Sequence, residues 1–248
     1  MLKAFLVLNM VALPFLAWPT GSQRINQVDI GPLGVQFIND PDLNLEEESL
    51  QIVLDQDEVL AVCTYTLRNQ SIVNKVLNLT FNIPITADQI TQEAVGKFLI
   101  SYGINLNDQP TDFRTIYHQN SDKNQLVVQK ISLIRITPRT RVKIQVLFRI
   151  YAGLDQNNKV SAEDRPMRFK YTFFQNRGSR GNNLRRIHLT LDKTPILQNQ
   201  GVIRSIEGIP LRDDPRQRIL VYSANDFNVL NNPALIINYS IKGYFSTQ

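Results

Sequence analysis

Residues 59–68 read Val-Leu-Ala-Val-Cys-Thr-Tyr-Thr-Leu-Arg, and two rows of side chains alternate along them. One row holds Val59, Cys63 and Leu67, and the other ends in threonines and an arginine. A period of two is typical of a β-strand that buries one face and shows the other to solvent. We therefore predict a half-buried strand in which Cys63 is a lone buried thiol.

The same alternation recurs along most of the chain. It is clearest at 77–83 and 142–150, and further strands are predicted over 97–104, 125–131, 167–175, 186–191, 217–223 and 234–241. Half-buried strands of this kind belong to antiparallel sheets in sandwiches. We predict an all-β protein, an antiparallel β-sandwich that forms one large unit or two packed sandwich-like subdomains. One short helix is predicted over 87–95, with Thr86 as its cap and Gly96 after its end.

The composition excludes several classes of protein and of site. The chain has 248 residues, of which 43% are apolar and 20% are charged, as in an ordinary globular protein. A single cysteine rules out an internal disulfide and multi-cysteine metal sites, and two histidines leave little material for acid–base chemistry. We therefore expect no enzymatic activity, no cofactor and no metal site.

The N-terminus has the pattern of a secretory signal peptide over residues 1–22. Lys3 precedes a mostly apolar run that ends at Trp18, and Thr20-Gly21-Ser22 places small residues before a cleavage site. No later segment approaches the length of about 20 apolar residues that a transmembrane helix needs. We expect export from the cytoplasm and no transmembrane segment in the mature chain. A buried N-terminal helix or an uncleaved anchor is the alternative.

Charge is distributed unevenly between the two halves of the chain. Residues 1–134 hold 8 Lys+Arg against 14 Asp+Glu, whereas residues 135–248 hold 19 against 8. A polar, turn-prone stretch at 153–158 separates the halves. We expect an acidic N-terminal β domain at 23–152 and a basic C-terminal β domain at 153–248. The halves either neutralise each other by packing, or the basic half faces an anionic partner.

A basic segment between residues 165 and 186 is the most distinctive surface feature. Within it, 176–183 is predicted to be a hairpin loop, because its glycines permit positive φ. Guanidinium groups pair well with phosphate and carboxylate groups. The alternative is that these cations only cover the outer face of a strand and solvate a loop. The residues predicted to bind an anionic partner are Arg165, Arg168, Lys170, Arg177, Arg180, Arg185 and Arg186.

An acidic run at 40–48 has oxygen ligands at alternating positions, as calcium loops do. Leu45 stands where such a loop needs a glycine, and Gln51 stands where it needs a glutamate. We therefore expect a solvated acidic turn.

Four short motifs follow one another in the first third of the chain. They are Leu33-Gly34-Val35, Glu48-Ser49-Leu50, Tyr65-Thr66-Leu67-Arg68-Asn69 and Phe81-Asn82-Ile83-Pro84. This order resembles a family of exported bacterial proteins of unknown function, whose members carry Gly-Gly-Leu, Glu-Asp-Leu, Tyr-x-Phe-x-Asn and Phe-Pro-Leu-Pro. The resemblance continues more loosely to Tyr239. It implies an all-β fold and a periplasmic or extracellular location in bacteria, and it assigns no catalytic residue.

These features predict an exported, non-catalytic binding or structural protein of the cell envelope. Its partner would be an envelope protein or an anionic lipid or glycan surface, since nucleic acid is not expected outside the cytoplasm. Two other classes stay open. One is a periplasmic hydrolase of cell-wall or glycan substrates, because paired carboxylates cannot be recognised from sequence spacing. The other is an assembly factor or chaperone that pairs through a sheet edge. The oligomeric state is also left open.

Overall fold

The computed structural model describes residues 29–30, 33–37, 42–56, 58–86, 99–120, 125–154, 164–174, 183–229 and 231–242. The predicted signal peptide at 1–22 and the predicted helix at 87–95 lie outside these residues. The strands are β1 (Asp29–Ile30), β2 (Gly34–Phe37), β3 (Leu43–Asp55), β4 (Glu58–Asn69), β5 (Lys75–Thr86), β6 (Leu99–Leu106), β7 (Gln109–Pro110), β8 (Arg114–Asn120), β9 (Gln125–Ile136), β10 (Arg141–Tyr151), β11 (Gly153–Leu154), β12 (Asp164–Thr172), β13 (Asn183–Asp192), β14 (Val202–Glu207), β15 (Ile219–Asn228) and β16 (Ala234–Lys242). A short helix, α1 (Thr194–Gln198), follows β13, and the sequence pattern did not predict it.

The strands form three sheets. The seven-stranded sheet has the order β15-β13-β3-β4-β10-β6-β7, and the four-stranded sheet has the order β11-β12-β16-β14. The five-stranded sheet has the order β1-β5-β9-β8, with β2 also paired to β5. All these pairings are antiparallel except that of β13 with β3. The predicted all-β fold is confirmed. Among the described residues, no helix is long and apolar enough to span a membrane.

The five-stranded and four-stranded sheets join edge to edge at Leu33. The Leu33 amide donates to the Lys170 carbonyl at 3.1 Å, and the Thr172 amide donates to the Leu33 carbonyl at 2.5 Å. The chains approach closely at this junction, since a Cβ at Gly34 would lie 2.7 Å from the Thr172 carbonyl oxygen. A glycine is therefore needed there. The two sheets form one layer of the sandwich.

The seven-stranded sheet is the other layer, and the core lies between the two. Phe81 of β5 packs on Phe148 of β10 with ring centroids 4.9 Å apart, and Phe173 packs on Phe227 of β15 at 5.2 Å. The Phe81–Phe148 contact joins the five-stranded sheet to the seven-stranded sheet. The Phe173–Phe227 contact joins the end of β12 to the seven-stranded sheet. Burying a side chain of this size contributes roughly 1.5–3 kcal/mol.

Strands from both halves of the chain build the same sheet. β13 runs parallel to β3, from the pair Ile187–Glu48 to the pair Asp192–Val53, and β15 follows on its other side. The buried apolar side chains form a single cluster that extends from Leu33 to Ile241. The boundary expected between residues 152 and 153 therefore does not separate two cores, because strands after it complete a sheet begun before it.

The acidic run becomes strand β3 from Leu43 onward, so the turn predicted there is wrong over these residues. A register shift between Leu45 and Glu47 places an extra residue in the strand. A bulge of this kind reverses which side chains face inward. Leu43 and Leu45 are buried before it, and Glu48 is buried after it.

Candidate anion-binding face

Two of the seven predicted cations have side chains on the outer face of the four-stranded sheet. In β12, Met167, Phe169 and Tyr171 are buried in the core. Successive strand residues point to opposite faces, so Arg168 and Lys170 point away from the core. Of the others, Arg165 and Arg185 are described only as backbone in β12 and β13, and Arg177 and Arg180 lie outside the described residues.

Arg186 lies on the opposite side of the molecule. Its neighbour Ile187 is buried in β13, so Arg186 is on the outer face of the seven-stranded sheet. One of its guanidinium nitrogens lies 3.8 Å from a carboxylate oxygen of Glu47. The structure therefore brings Arg168 and Lys170 together and does not bring Arg186 to them.

Two further cations share the outer face of the four-stranded sheet. Arg204 of β14 donates from Nε to Ser240 Oγ at 3.2 Å, and Ser240 points outward between the buried Tyr239 and Ile241. Lys242 is on the same row of β16 as Ser240. We name this surface the basic face, and its cations are Arg168, Lys170, Arg204 and Lys242.

The acidic residues of this face are Glu207 and Asp164, and Asp164, described only as backbone, is opposite Lys242 in the β12–β16 pair. Glu207 of β14 is the one carboxylate on this face among the side chains that the structure describes, and it accepts hydrogen bonds from Asn238 Nδ2 and Ser205 Oγ, both at 3.0 Å. The sequence analysis missed Arg204 and Lys242 because they lie outside the 165–186 segment. The alternation around Ile203 and Ile241 is the signal that places them on the outward side.

A donor and an acceptor without partners lie near the middle of the basic face. Arg168 and Asn238 are opposite each other in the β12–β16 pair. Arg168 Nε and Asn238 Oδ1 are buried, and neither has a hydrogen-bond partner among the described residues. Buried polar atoms rarely lack partners in folded proteins. Both atoms are covered in this structure, so they do not themselves offer a binding position on the surface.

On the outer face of the seven-stranded sheet, the cations lie beside carboxylates. Each cation that the structure describes on the outer face of its strands is close to a carboxylate. The ion pairs are Arg68–Glu46 (3.8 Å), Arg141–Glu46 (2.7 Å), Lys143–Asp108 (2.9 Å), Arg149–Glu58 and Arg186–Glu47 (3.8 Å). On this face five cations therefore lie beside four carboxylates, with Glu46 between Arg68 and Arg141.

A buried polar cluster connects the two layers below these faces. Glu48 Oε1 accepts a hydrogen bond from Tyr171 Oη at 2.6 Å, and Glu48 Oε2 accepts one from the Phe174 amide at 3.2 Å. Tyr65 Oη lies 2.5 Å from Tyr171 Oη. Burial raises the pKa of Glu48 to about 7, although the hydrogen bonds from Tyr171 and Phe174 oppose the rise. The cluster holds the end of β12 against the seven-stranded sheet.

Cys63 is fully buried beside this cluster, as expected. Burial raises the pKa of its thiol, and the nearby Glu48 carboxylate adds to the rise. A thiol of this kind is protonated and inert as a nucleophile.

The two histidines lie on different sheets. His118 of β8 is hydrogen-bonded through Nε2 to Gln129 Oε1 at 2.8 Å, and His188 of β13 is hydrogen-bonded through Nδ1 to Ser223 Oγ at 2.6 Å. Within the described part of the chain, no group of three or more His, Cys, Asp or Glu side chains is placed to hold a metal ion.

No family model and no curated protein matches this chain. Among solved structures, it is similar to a Legionella pneumophila protein of inferred nutrient-binding function, with a TM-score of 0.58 and 12% identity over 86% of this chain and 72% of that chain. At this identity the likeness shows a shared fold and not a shared activity.

Two peptidases resemble the chain more distantly. They are an M1 zinc metallopeptidase from Deinococcus radiodurans, with a TM-score of 0.37 and 10% identity, and aminopeptidase A from Legionella pneumophila, with a TM-score of 0.35 and 13% identity. The matches cover 81% and 82% of this chain but only 43% and 22% of those chains.

Proposed function

We propose that this protein is an exported, non-catalytic binding protein of the bacterial cell envelope, and that it binds an anionic surface through the basic face. One observation carries the proposal. Four cations from three adjacent strands share the outer face of the four-stranded sheet with Glu207 as the single described carboxylate. An excess of one sign of charge on one face attracts a partner of the other sign.

The spacing of the cations suits an extended partner better than a small ligand. β12, β16 and β14 are neighbours, so Arg168 and Arg204 are two strand spacings apart, about 10 Å. Exposed charges act together over a screening length of about 8–10 Å at physiological salt. A surface that carries many phosphate or carboxylate groups would meet these cations together.

The location in the envelope rests on the sequence. The signal-peptide pattern at residues 1–22 and the resemblance of the four motifs to exported bacterial proteins support export. The shared fold with a Legionella pneumophila protein of inferred nutrient-binding function is compatible with a binding role.

Vesicle binding tests the proposal. The mature protein should bind to an acidic polysaccharide or to vesicles rich in phosphatidylglycerol. Its binding to either probe should weaken as the salt concentration rises. Each cation near an anionic membrane contributes about 1 kcal/mol, so Arg168→Gln with Lys170→Gln should weaken vesicle binding about thirtyfold. The matched control, Arg141→Gln with Arg149→Gln, removes two cations from the seven-stranded sheet and should change binding less than about twofold.

The two probes distinguish a lipid partner from a glycan partner, because one presents its anionic groups on a bilayer and the other on a polysaccharide chain. Equal losses in the two double variants would contradict the proposal. Binding that does not fall at high salt would also contradict it, because exposed charge contacts are screened.

A further inference from the structure

Sheet edges differ in how well they are protected from pairing with another strand. An edge offers unpaired backbone N–H and C=O groups, and proteins protect it with short strands, charged side chains or bulges. The edge strands β1, β7 and β11 have two residues each, and β2 has four. β8 carries Arg114 and His118, and β14 carries Arg204 and Glu207 together with a register shift after Ile203.

β15 has none of these features over its first seven residues. Residues 219–225 read Ile-Leu-Val-Tyr-Ser-Ala-Asn, without charge, proline or glycine. One side of this stretch pairs with β13, and β15 ends the seven-stranded sheet, so its other side has no strand partner among the described residues. On its outer face, Ile219 and Val221 are 52% and 57% exposed.

We propose that the free edge of β15 forms the interface of a two-fold symmetric dimer, in which β15 pairs antiparallel with β15 of a second copy of this chain. A symmetric dimer needs a surface that is complementary to itself. An antiparallel strand pair meets this condition, because each strand offers the same donors and acceptors in reverse order. The inferred dimer joins two seven-stranded sheets into one continuous sheet.

Charge selects the register of this pairing. When Tyr222 lies opposite Tyr222 of the other copy, Val221 lies opposite Ser223 and Arg218 lies opposite Asp226. Arg218 and Asp226 are both exposed, and neither has an ionic partner among the described residues. In the dimer, Arg218 of one copy would form an ion pair with Asp226 of the other copy at each end of the strand pair. Over 219–225 the pairing also keeps core-facing residues on the core side, because opposed residues differ by an even number of positions. The regular alternation ends at Asp226, whose φ is +53°.

The dimer has a geometric consequence for surface binding. The symmetry axis of an antiparallel strand pair is perpendicular to the sheet, so both four-stranded sheets lie on the same side of the dimer. The two basic faces then point in the same direction, and one anionic surface meets both of them. This consequence rests on the proposed function, whereas the dimer does not. Two linked sites bind such a surface more tightly than one.

Sedimentation velocity over a wide concentration series tests the dimer in solution, without any anionic probe. A strand pair buries less than the roughly 1,600 Å² of a standard interface, so the dimer should dissociate on dilution. Val221→Lys places a charge on the edge and should weaken dimerisation about tenfold or more. The matched control is Val76→Lys on the five-stranded sheet, because Val76 and Val221 are equally exposed at 57%. It should dimerise like the unaltered chain.

Charge reversal tests the register. Arg218→Glu opposes two carboxylates at each end of the strand pair, and Asp226→Lys opposes two cations, so each variant alone should stay monomeric. A mixture of the two variants should form a heterodimer, because each end then pairs opposite charges. A monomeric unaltered chain at every concentration would overturn the proposal, as would full dimerisation of Val221→Lys or failure of the mixture to pair.

Discussion

The outer faces of the seven-stranded and four-stranded sheets differ in how many carboxylates accompany their cations. On the seven-stranded sheet, every described outward cation has a carboxylate within ion-pair distance. On the four-stranded sheet, Glu207 is the one carboxylate among the described side chains of the face that carries four cations. A face on which cations outnumber carboxylates attracts anions over a distance more strongly than a face on which each cation lies beside a carboxylate. The position of the acidic residues therefore distinguishes the two faces more clearly than the number of cations.

Both faces belong to one folded sandwich, so the comparison depends on the stability of that fold. The largest predicted effect is on stability and concerns Glu48, whose side chain connects the two layers. Its pKa is about 7 in the folded protein and 4.5 ordinarily. Between these pH values the folded state holds a proton that the unfolded state has lost. The contribution of Glu48 to stability is therefore greatest below pH 4.5 and falls by up to about 3 kcal/mol as the pH rises through 7.

Glu48→Gln should remove this part of the pH dependence, because the amide does not titrate. Denaturant unfolding of both proteins at a series of pH values measures the difference in slope. Since the substitution touches neither outer face, vesicle binding of the folded variant should be unchanged at neutral pH. Parallel stability curves for the two proteins would show that Glu48 does not titrate in this range.

Removing the acidic partners from the seven-stranded sheet should make the two faces more alike. Glu46→Gln with Glu47→Gln leaves Arg68, Arg141 and Arg186 without carboxylate partners. We expect affinity for phosphatidylglycerol vesicles to rise about fivefold, since each freed cation near the membrane adds attraction. The charge-conserving control, Glu46→Asp with Glu47→Asp, should bind like the unaltered protein. An unchanged affinity in the glutamine variant would mean that uncompensated charge alone does not create binding.

The smallest predicted effect concerns a single ion pair on the seven-stranded sheet. Arg149→Gln removes the ion pair between Arg149 and Glu58, and both of these side chains are partly exposed. Exposed pairs contribute about 0–1 kcal/mol, so the free energy of unfolding should change by no more than this. Chemical denaturation measures it. A loss well above 2 kcal/mol would show that these pairs stabilise the sheet rather than only balance its charge.

Local alternation predicted the strands and much of the inner face. Val59, Cys63 and Leu67 are buried as the pattern indicated, and so are Leu77 and Phe148. The pattern failed at Glu48, because one extra residue in β3 turns the following side chains over. It also gave no sign of the parallel pairing of β13 with β3, because that pairing joins residues far apart in sequence.

The candidate site was predicted only in part for a related reason. A run of arginines is visible in the sequence, but a face is assembled across strands. Arg168, Arg204 and Lys242 come together only when β12, β16 and β14 are placed side by side. Conversely, Arg186 belongs to the run but lies on the other face beside Glu47.

Lysine footprinting on phosphatidylglycerol vesicles tests the difference between the two faces most directly. Acetylation of each lysine is measured by mass spectrometry with and without vesicles. Lys170 and Lys242 on the basic face should be protected by the vesicles, whereas Lys143 on the seven-stranded sheet should react equally in both conditions. Protection of Lys143 with no change at Lys170 and Lys242 would contradict the assignment of the binding face.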